Sequence, residues 1–314
     1  MYMKVFHDLD FQEDFKNPVL TIGNYDGIHI GHRTIIGMVR DMAARIDGTP
    51  MLMTFHPHPL QILRPQQELP SITPLPEKIR LIEATGIDVL IVVPFNRQFA
   101  LVEPSDFVKD ILVDRLKVKG LIIGYDFKFG RAGKGDVPFL KQCGQEYGFS
   151  VDVVEPVTID HEKVGSNRIR ILVRQGAVDT ANLLLGRPYA IEGQVVRGLS
   201  RGSEIGFPTI NLQTEYNLIP KNGVYVTEVE FDGLRHGAVT NIGYNPTFGN
   251  RERSIETFIL DFQGDLYGRT VKLHFLSRMR DEVKFASVPE LVERIGADVR
   301  DARNYFRNRG QVQP

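Results

Sequence analysis

Four of the chain's eight histidines lie between positions 29 and 58. His29 and His32 close the run Gly23-Asn24-Tyr25-Asp26-Gly27-Ile28-His29-Ile30-Gly31-His32, which follows an apolar stretch and opens a helical pattern. Backbone N–H groups at a helix start attract anions. Gly27 and Gly31 permit close approach of a phosphate, and two imidazoles can donate to phosphoryl oxygens as charge redistributes. Phosphoryl and nucleotidyl transfer need such positioning and charge stabilisation more than covalent help. His56 and His58, in Thr54-Phe55-His56-Pro57-His58-Pro59, follow a second apolar stretch and can stand beside the first pair. The histidines alone leave two other readings open. One is a zinc site, although no cysteine or paired carboxylate completes it; the other is ordinary loop residues.

Further polar groups gather around the same chemistry. Asp26 and Asp126 are candidates for contacts to a nucleotide, a flavin or Mg²⁺, with turn stabilisation as the alternative. Residues 130–136, with Arg131, Lys134 and three glycines, read as a flexible phosphate cradle; the Gly-Lys-Ser/Thr ending of a Walker A loop is absent. Ser166 and Asn167 suit a helix N-terminus and a phosphate contact, and Arg170 can neutralise a triphosphate. A plain helix cap and a solvated helical face are the competing readings of this segment.

A second group lies later in the chain. Residues 198–206 are polar and glycine-rich, flanked or occupied by Arg197, Arg201 and Gly206, and lead into Phe207-Pro208-Thr209-Ile210-Asn211-Leu212. Thr209 and Asn211 offer hard oxygen ligands for Mg²⁺ bridging ATP phosphates, although such a sequence also occurs in turns. In Ser254-Ile255-Glu256-Thr257-Phe258, strand alternation puts Glu256 on one face with Phe258 and Leu260, and Ile255, Thr257 and Ile259 on the other. A carboxylate there is placed to take a proton from an alcohol, or to pair with Arg251 or Arg253. Tyr244, Phe248 and Tyr267 are candidates for an aromatic pocket or for core packing. Arg278 and Arg280 follow a strand, near an expected flavin or phosphate site or on the surface.

The elements that must carry these residues fall into two kinds. Strands are predicted at 19–23, 51–55, 89–93, 118–124 and 151–154, and helices at 32–46, 77–85, 104–116 and 137–147. Short apolar strands alternating with helices argue for a parallel sheet covered on both faces, with its site at the strands' C-terminal ends. Helices at 167–174 and 180–185 precede a change of character near 184–188. Strands then follow at 191–196, 224–231, 238–242, 255–262 and 271–276, spaced as in a small closed sheet or barrel. The stretch 289–306 is an amphipathic helix with Val292, Ile295, Val299 and Ala302 as its buried stripe.

Composition sets the outer bounds. The 314 residues suit about two domains. With 38 basic against 39 acidic side chains, a broadly basic nucleic-acid-binding surface is not expected. A lone cysteine, Cys143, excludes an internal disulfide framework and points to a reducing compartment. The N-terminus lacks a signal-peptide apolar region, and no run reaches the roughly 18–20 apolar residues that span a bilayer. A cytoplasmic protein is the expectation.

The run 23–32 resembles the HxGH motif of the nucleotidyltransferase superfamily, in the longer form seen in bacterial bifunctional riboflavin kinase/FAD synthetases. The 54–59 run and Gly124-Tyr125-Asp126-Phe127-Lys128-Phe129-Gly130 fit the same family, which departs here at Gly165-Ser166-Asn167-Arg168-Ile169-Arg170, where it reads close to Ser-Ser-Thr-x-x-Arg. Phe207–Leu212, as Pro-Thr-Ile-Asn, resembles the Pro-Thr-Ala-Asn motif of riboflavin kinase. Segments 223–225, 241–248, 261–268 and 275–285 are similar to that domain as well. The resemblance implies a Rossmann-like nucleotidyltransferase domain over 1–185. It implies a small Greek-key-like riboflavin kinase β-barrel with a terminal helix over 186–314. Glu256 is then the catalytic base, Thr209 and Asn211 hold Mg²⁺, and His29 and His32 act in adenylyl transfer. Gly23, Asn24, Asp26, Gly27, Gly31, His58, Asp126, Ser166, Arg170, Gly206 and Arg278 are the binding positions. ATP is the co-substrate, riboflavin and FMN are substrates and FAD is the product. No nucleic acid, membrane or obligate protein partner is implied. A single-activity nucleotidyltransferase with another acceptor, or a non-catalytic flavin-binding protein, are the other classes.

Overall fold

The computed structural model describes residues 2–198, 202, 205–244 and 253–311. Its chain contacts divide it into two compact units, Met1–Ser166 and Asn167–Pro314.

The first unit is built on a six-stranded parallel sheet. Its strands are β1 (Lys4–Phe6), β2 (Val19–Ile22), β3 (Pro50–His56), β4 (Val89–Pro94), β5 (Gly120–Gly124) and β6 (Ser150–Val154), in the spatial order β1-β4-β3-β2-β5-β6. The four central strands, β2 to β5, are short, apolar and largely buried on both faces, which is why they read as continuous apolar runs rather than alternating ones. Alternate residues serve two layers. Leu20, Ile22, Met51, Met53, Leu121 and Ile123 pack in one cluster with Phe107, Leu112 and Cys143. Val19, Leu52, Leu90 and Ile122 pack in the other with Ile36, Val39 and Ala43. The helices are α1 (Ile30–Arg45), α2 (Pro59–Leu63), α3 (Leu75–Glu83), α4 (Pro104–Asp106), which continues in wider π-helical turns over Phe107–Arg115, and α5 (Val137–Tyr147). In α1 the buried stripe of Ile36, Val39 and Ala43 ends before Ile46, which is exposed. Cys143 is buried in the α5 layer, where burial pushes its thiol pKa up.

Strand order reverses between β2 and β5, which are paired neighbours with Val19–Thr21 opposite Gly120–Ile122. The loops leaving their C-terminal ends diverge there and open a crevice. That topology brings the run beginning at Gly23 to the run beginning at Gly124. A hairpin of β7 (Thr158–Ile159) and β8 (Glu162–Lys163) follows β6. The edge strand β1, unexpected from the sequence, pairs with β4.

The second unit begins with α6 (Ser166–Gln175) and α7 (Val178–Leu185). Then come β9 (Tyr189–Val196), β10 (Ile210–Gln213), β11 (Gly223–Phe231), β12 (Leu234–Tyr244), β13 (Arg253–Ile259) and β14 (Thr270–Arg280), which close into an antiparallel barrel in the order β10-β13-β12-β11-β14-β9. The helix α7 is tied to this barrel: Asn182 donates to the Phe275 carbonyl (2.8 Å) and accepts from the Tyr189 N–H (2.6 Å). The barrel interior is tightly paired. Thr227, Thr240 and Thr257, all but fully buried, link their hydroxyls across β11, β12 and β13 at 2.8 and 2.9 Å, so none leaves a buried hydroxyl unsatisfied.

The long helix α8 (Val288–Gln311) covers part of the barrel's outer face. Val299 and Ala302 pack against Val224, Val226, Val239 and Leu276, with Ile295 partly buried beside them. A fully buried Val is worth about 1.5–3 kcal/mol, so this stripe is a substantial part of what holds the helix down. An ion pair adds to it: Arg280 at the end of β14 grips Asp298 of α8 with 2.6 and 3.0 Å contacts, and Asp298 is 2% exposed.

Candidate active sites

Each unit carries a cavity lined by its own motif. In the first unit the cavity, about 580 Å³, lies in the crevice between the β2 and β5 loops. Gly23, Asn24, Tyr25 and His32 line one side, Asp126, Lys128 and Gly130 another, and Phe55, Phe95, Phe99, Phe107, Phe127 and Phe129 supply aromatic walls. The phenylalanines pack edge to face or tilted along a chain, Phe95 to Phe99 at 5.8 Å and Phe107 to Phe129 at 5.4 Å, while Phe127 and Phe129 stack. A planar heteroaromatic ring finds both a stacking surface and an apolar wall there.

The loop from Gly23 to His29 is held from below. The Asn24 carbonyl accepts from Thr54 Oγ1 (3.0 Å) and from Nζ of Lys78, a buried amine on α3 (2.8 Å). Tyr25 turns inward, its hydroxyl bonded to Thr21 and its pKa raised by burial. Asp26 is buried, and its carboxylate accepts from the N–H groups of Ile72 and Thr73 at 3.0 Å. Thr73 Oγ1 in turn receives the Gly27 N–H (3.0 Å). Gly27 adopts φ 96°, and Tyr25 and Ile28 adopt φ 46° and 40°. A buried β-branched residue in the left-handed region is costly and persists only where its surroundings over-determine it. The strain sits immediately before the helix that the loop aims.

That helix is α1, and His29 is its N-cap. Nδ1 of His29 accepts the backbone N–H of His32 (3.2 Å), and the two imidazoles stack with centroids 3.6 Å apart. An accepting Nδ1 fixes the neutral tautomer with its proton on Nε2. Gly31 leaves room for this ring: a Cβ there would come within 3.3 Å of it. No acidic residue occupies the first turn of α1, so its positive end is unopposed by a local carboxylate.

His56, at the end of β3, has its pKa lowered by burial and by the Lys78 charge. His58 caps α2, its Nδ1 accepting from Leu60 N–H (3.1 Å). Asp126 is mainly exposed and 3.5 Å from Lys163. Ser166 Oγ donates to the Asp26 carbonyl (2.8 Å), so the 165–170 motif touches the 23–32 loop through this hydroxyl. Arg170 belongs to the second unit, buried, with a 2.7 Å bond to Asn167 Oδ1.

In the second unit the cavity, about 340 Å³, lies on the barrel's outer face beside α8. Thr209, Asn211, Asn241, Ser254, Glu256, Arg280, Glu282 and Asp298 are among its polar lining, with Phe207, Val224, Val239 and Phe258 among the apolar residues; Glu282 accepts from the Asn222 side chain (3.0 Å). Strand pairing fixes the order across this face. Asn211 on β10 lies opposite Glu256 on β13, Glu256 opposite Asn241 on β12, Asn241 opposite Val224 on β11, and Val224 opposite Arg280 on β14. Glu256 and Phe258 line the cavity while Ile255, Thr257 and Ile259 are buried, as alternation requires. Gly198 and Gly202 give Asn211 and Thr209 their space: a Cβ at 198 would overlap the Asn211 amide and one at 202 the Phe207 carbonyl, 3.2 Å from Thr209 Oγ1. Gly206 takes φ 84° between Ile205 and Phe207, both of which line the cavity.

Two expected positions differ. Arg278 is not among the lining residues; it bonds the Asn222 carbonyl and Asp281 beside Tyr225. A register irregularity between Val224 and Tyr225 turns Arg280, not Arg278, to the cavity, as strand bulges do. Tyr267 stands near Arg197 outside the lining, while Tyr244 is part of it. Arg253 bonds Asn222 and the Pro220 carbonyl. Arg201, Phe248 and Arg251 lie outside the described residues. Sequence reasoning missed the phenylalanine walls, Lys78, Asn241 and the Arg280–Asp298 pair. Of these only the phenylalanines left a signal, six of them near strand ends between positions 55 and 129.

A family model described as FAD synthetase matches residues 11–168, and one described as riboflavin kinase matches residues 185–306. The bifunctional riboflavin kinase/FMN adenylyltransferase of Bacillus subtilis (strain 168) is 38% identical over 308 residues, 96% of each chain. That of Escherichia coli (strain K12) is 36% identical over 289 residues, 92% of each chain. A crystal structure from Streptococcus pneumoniae, titled a macrolide-efflux protein, superposes with a TM-score of 0.89 at 32% identity, covering 97% of this chain and 99% of its own. Among the described residues no helix is long and apolar enough to cross a membrane.

Proposed function

We propose, for a chain that belongs to the bifunctional riboflavin kinase/FMN adenylyltransferase family, two successive reactions on one flavin. The second unit phosphorylates riboflavin to FMN with ATP; the first unit adenylylates FMN with a second ATP to give FAD and pyrophosphate. The observation that carries the reading is that each unit has its own cavity, lined by the motif the matching family model covers.

In the kinase reaction the 5′-hydroxyl oxygen of riboflavin attacks the γ-phosphorus of ATP. Its proton passes to Glu256, the new P–O bond forms, and the bond to the β,γ-bridging oxygen breaks, so ADP leaves with that electron pair. Thr209 and Asn211 supply oxygen donors, and Gly198 and Gly202 keep their surroundings open. That hard donor set suits Mg²⁺, which when bound neutralises phosphate charge. Phe258, Val239 and Val224 give Glu256 an apolar surround that limits water.

In the adenylylation an FMN phosphate oxygen attacks the α-phosphorus of ATP, and the bond to pyrophosphate breaks. The N–H groups at the start of α1 and Nε2–H of His29 meet the negative oxygens, with His32 stacked alongside. The phenylalanine walls hold the isoalloxazine ring. Asp26 acts through its loop, pinning residues 72 and 73 to the turn that aims His29. Ser166 steadies the same turn, and Arg170, His58 and the cavity-lining Asp126 are proposed to serve the triphosphate.

One assay tests the whole reading: purified protein with riboflavin, ATP and Mg²⁺, flavins separated over time. FMN followed by FAD is expected. FMN that never becomes FAD removes the adenylylating half, and no turnover of riboflavin or FMN removes both.

A further inference from the structure

The row Asn211–Glu256–Asn241–Val224–Arg280 runs across five adjacent strands, and all five residues line one cavity. Neighbouring strands are about 4.8 Å apart, so the row is a ruler laid across the kinase site. Glu256 stands between two carboxamides. Asn211, with Thr209 on the same strand segment, marks the side given to the phosphate donor. Whatever the alcohol is attached to must then leave Glu256 on the other side, over Asn241 toward Val224 and α8. Beyond Asn241 the row is apolar at Val224, and the Arg280 guanidinium is engaged by Asp298 through three contacts.

We infer that Asn241 recognises the polyol chain of the acceptor, binding the hydroxyl next to the one phosphorylated; this rests on the kinase reading above. Directly opposed side chains on paired strands have Cβ atoms about 4.5–5.5 Å apart. That separation is close to the span between adjacent hydroxyls of an extended polyol plus one hydrogen bond. A carboxamide offers both a donor and an acceptor, and a hydroxyl needs both. Glu256 takes the proton of the terminal hydroxyl while Asn241 holds its neighbour, so two points orient the attacking oxygen.

The test compares riboflavin with an analogue that keeps the terminal 5′-hydroxyl but lacks the 4′-hydroxyl. Wild type is expected to favour riboflavin in kcat/KM by about 10–100-fold, the range of one well-placed hydrogen bond. In Asn241→Ala, and in the near-isosteric Asn241→Leu that leaves no cavity, kcat/KM for riboflavin falls by that factor and the preference shrinks below about 3-fold. Unchanged kcat/KM for the 4′-deoxy analogue in the same preparations reports that the kinase unit is folded. If both variants still discriminate as wild type does, the assignment of Asn241 is wrong while the kinase reading stands. If wild type phosphorylates neither flavin, the kinase reading falls and takes this one with it.

Discussion

His29 and His32 are bound to each other twice: their rings stack 3.6 Å apart, and Nδ1 of the first accepts the backbone N–H of the second. The second bond leaves Nε2 as the ring nitrogen of His29 that carries the proton, on a ring that is itself buried. Replacing His29 by Ala removes a cap, a tautomer lock and a donor at once. His29→Ala and His32→Ala are each expected to lower FMN adenylylation by about 10²–10³-fold, as loss of one preorganised donor does. Riboflavin phosphorylation stays near wild type. Parallel loss of both reactions in a folded variant refutes the role.

Glu256→Gln keeps the shape of the side chain and removes the proton acceptor. FMN formation is expected to fall by about 10²–10⁴-fold, whereas added FMN is still converted to FAD. Separate initial rates with riboflavin and with FMN as starting flavin measure the split.

The Arg280–Asp298 pair joins β14 to α8 where Asp298 is 2% exposed. Truncating one partner of a buried pair strands the other, at a cost of about 3–5 kcal/mol. Asp298→Ala should lower stability by that order in urea titration. It should also raise the KM for riboflavin, because α8 forms one wall of the cavity. An unchanged unfolding midpoint would show that the pair contributes nothing.

His274 sets an acid limit on stability. It is buried on β14, its Nε2 2.8 Å from Glu230 Oε2. Burial first, then the Arg235 charge, lowers its pKa to about 4, against the Glu230 bond that raises it. The unfolded chain, with an ordinary histidine near 6.5, therefore binds the proton first as pH falls. Stability from this group is present above about pH 6.5 and is lost progressively down to about pH 4, a difference on the order of 3 kcal/mol. Glu230, lowered by His274 and Arg235 against its own burial, loses stability in the same direction below the carboxylate range. Unfolding free energy measured from pH 7 to 4 should slope accordingly, and His274→Gln should flatten the upper part. A variant with the wild-type slope would remove the assignment.

What the sequence made legible was contiguous. The 23–32 run, the Thr209–Asn211 pair and the alternation that turns Glu256 and Phe258 away from Ile255 and Thr257 need only local geometry. Asn241 needs the pairing register of β12 against β13, which is fixed by strands closing a barrel and not by its neighbours in the chain. The exchange of Arg278 for Arg280 depends on one irregularity in β14. The helix over 32–46 shows the same limit in miniature: spacing says which face is apolar, while the point where burial ends, at Ala43 before exposed Ile46, depends on what the sheet leaves to cover. The phenylalanine walls are assembled from four separate segments, so no window of sequence contains them. The two compact units meet at 166/167 and the riboflavin kinase match begins at 185. The helices between carry no strand pattern, so the change of character at 184–188 marks where strands begin.

The kinase cavity lies on the outside of a barrel whose inside is filled by Thr227, Thr240 and Thr257 and their apolar neighbours. Along β13 every other residue therefore answers to a different demand. Ile255, Thr257 and Ile259 keep the protein folded, and Glu256 and Phe258 let it work. Substitutions along that strand should sort by parity into those that lose abundance and those that lose turnover.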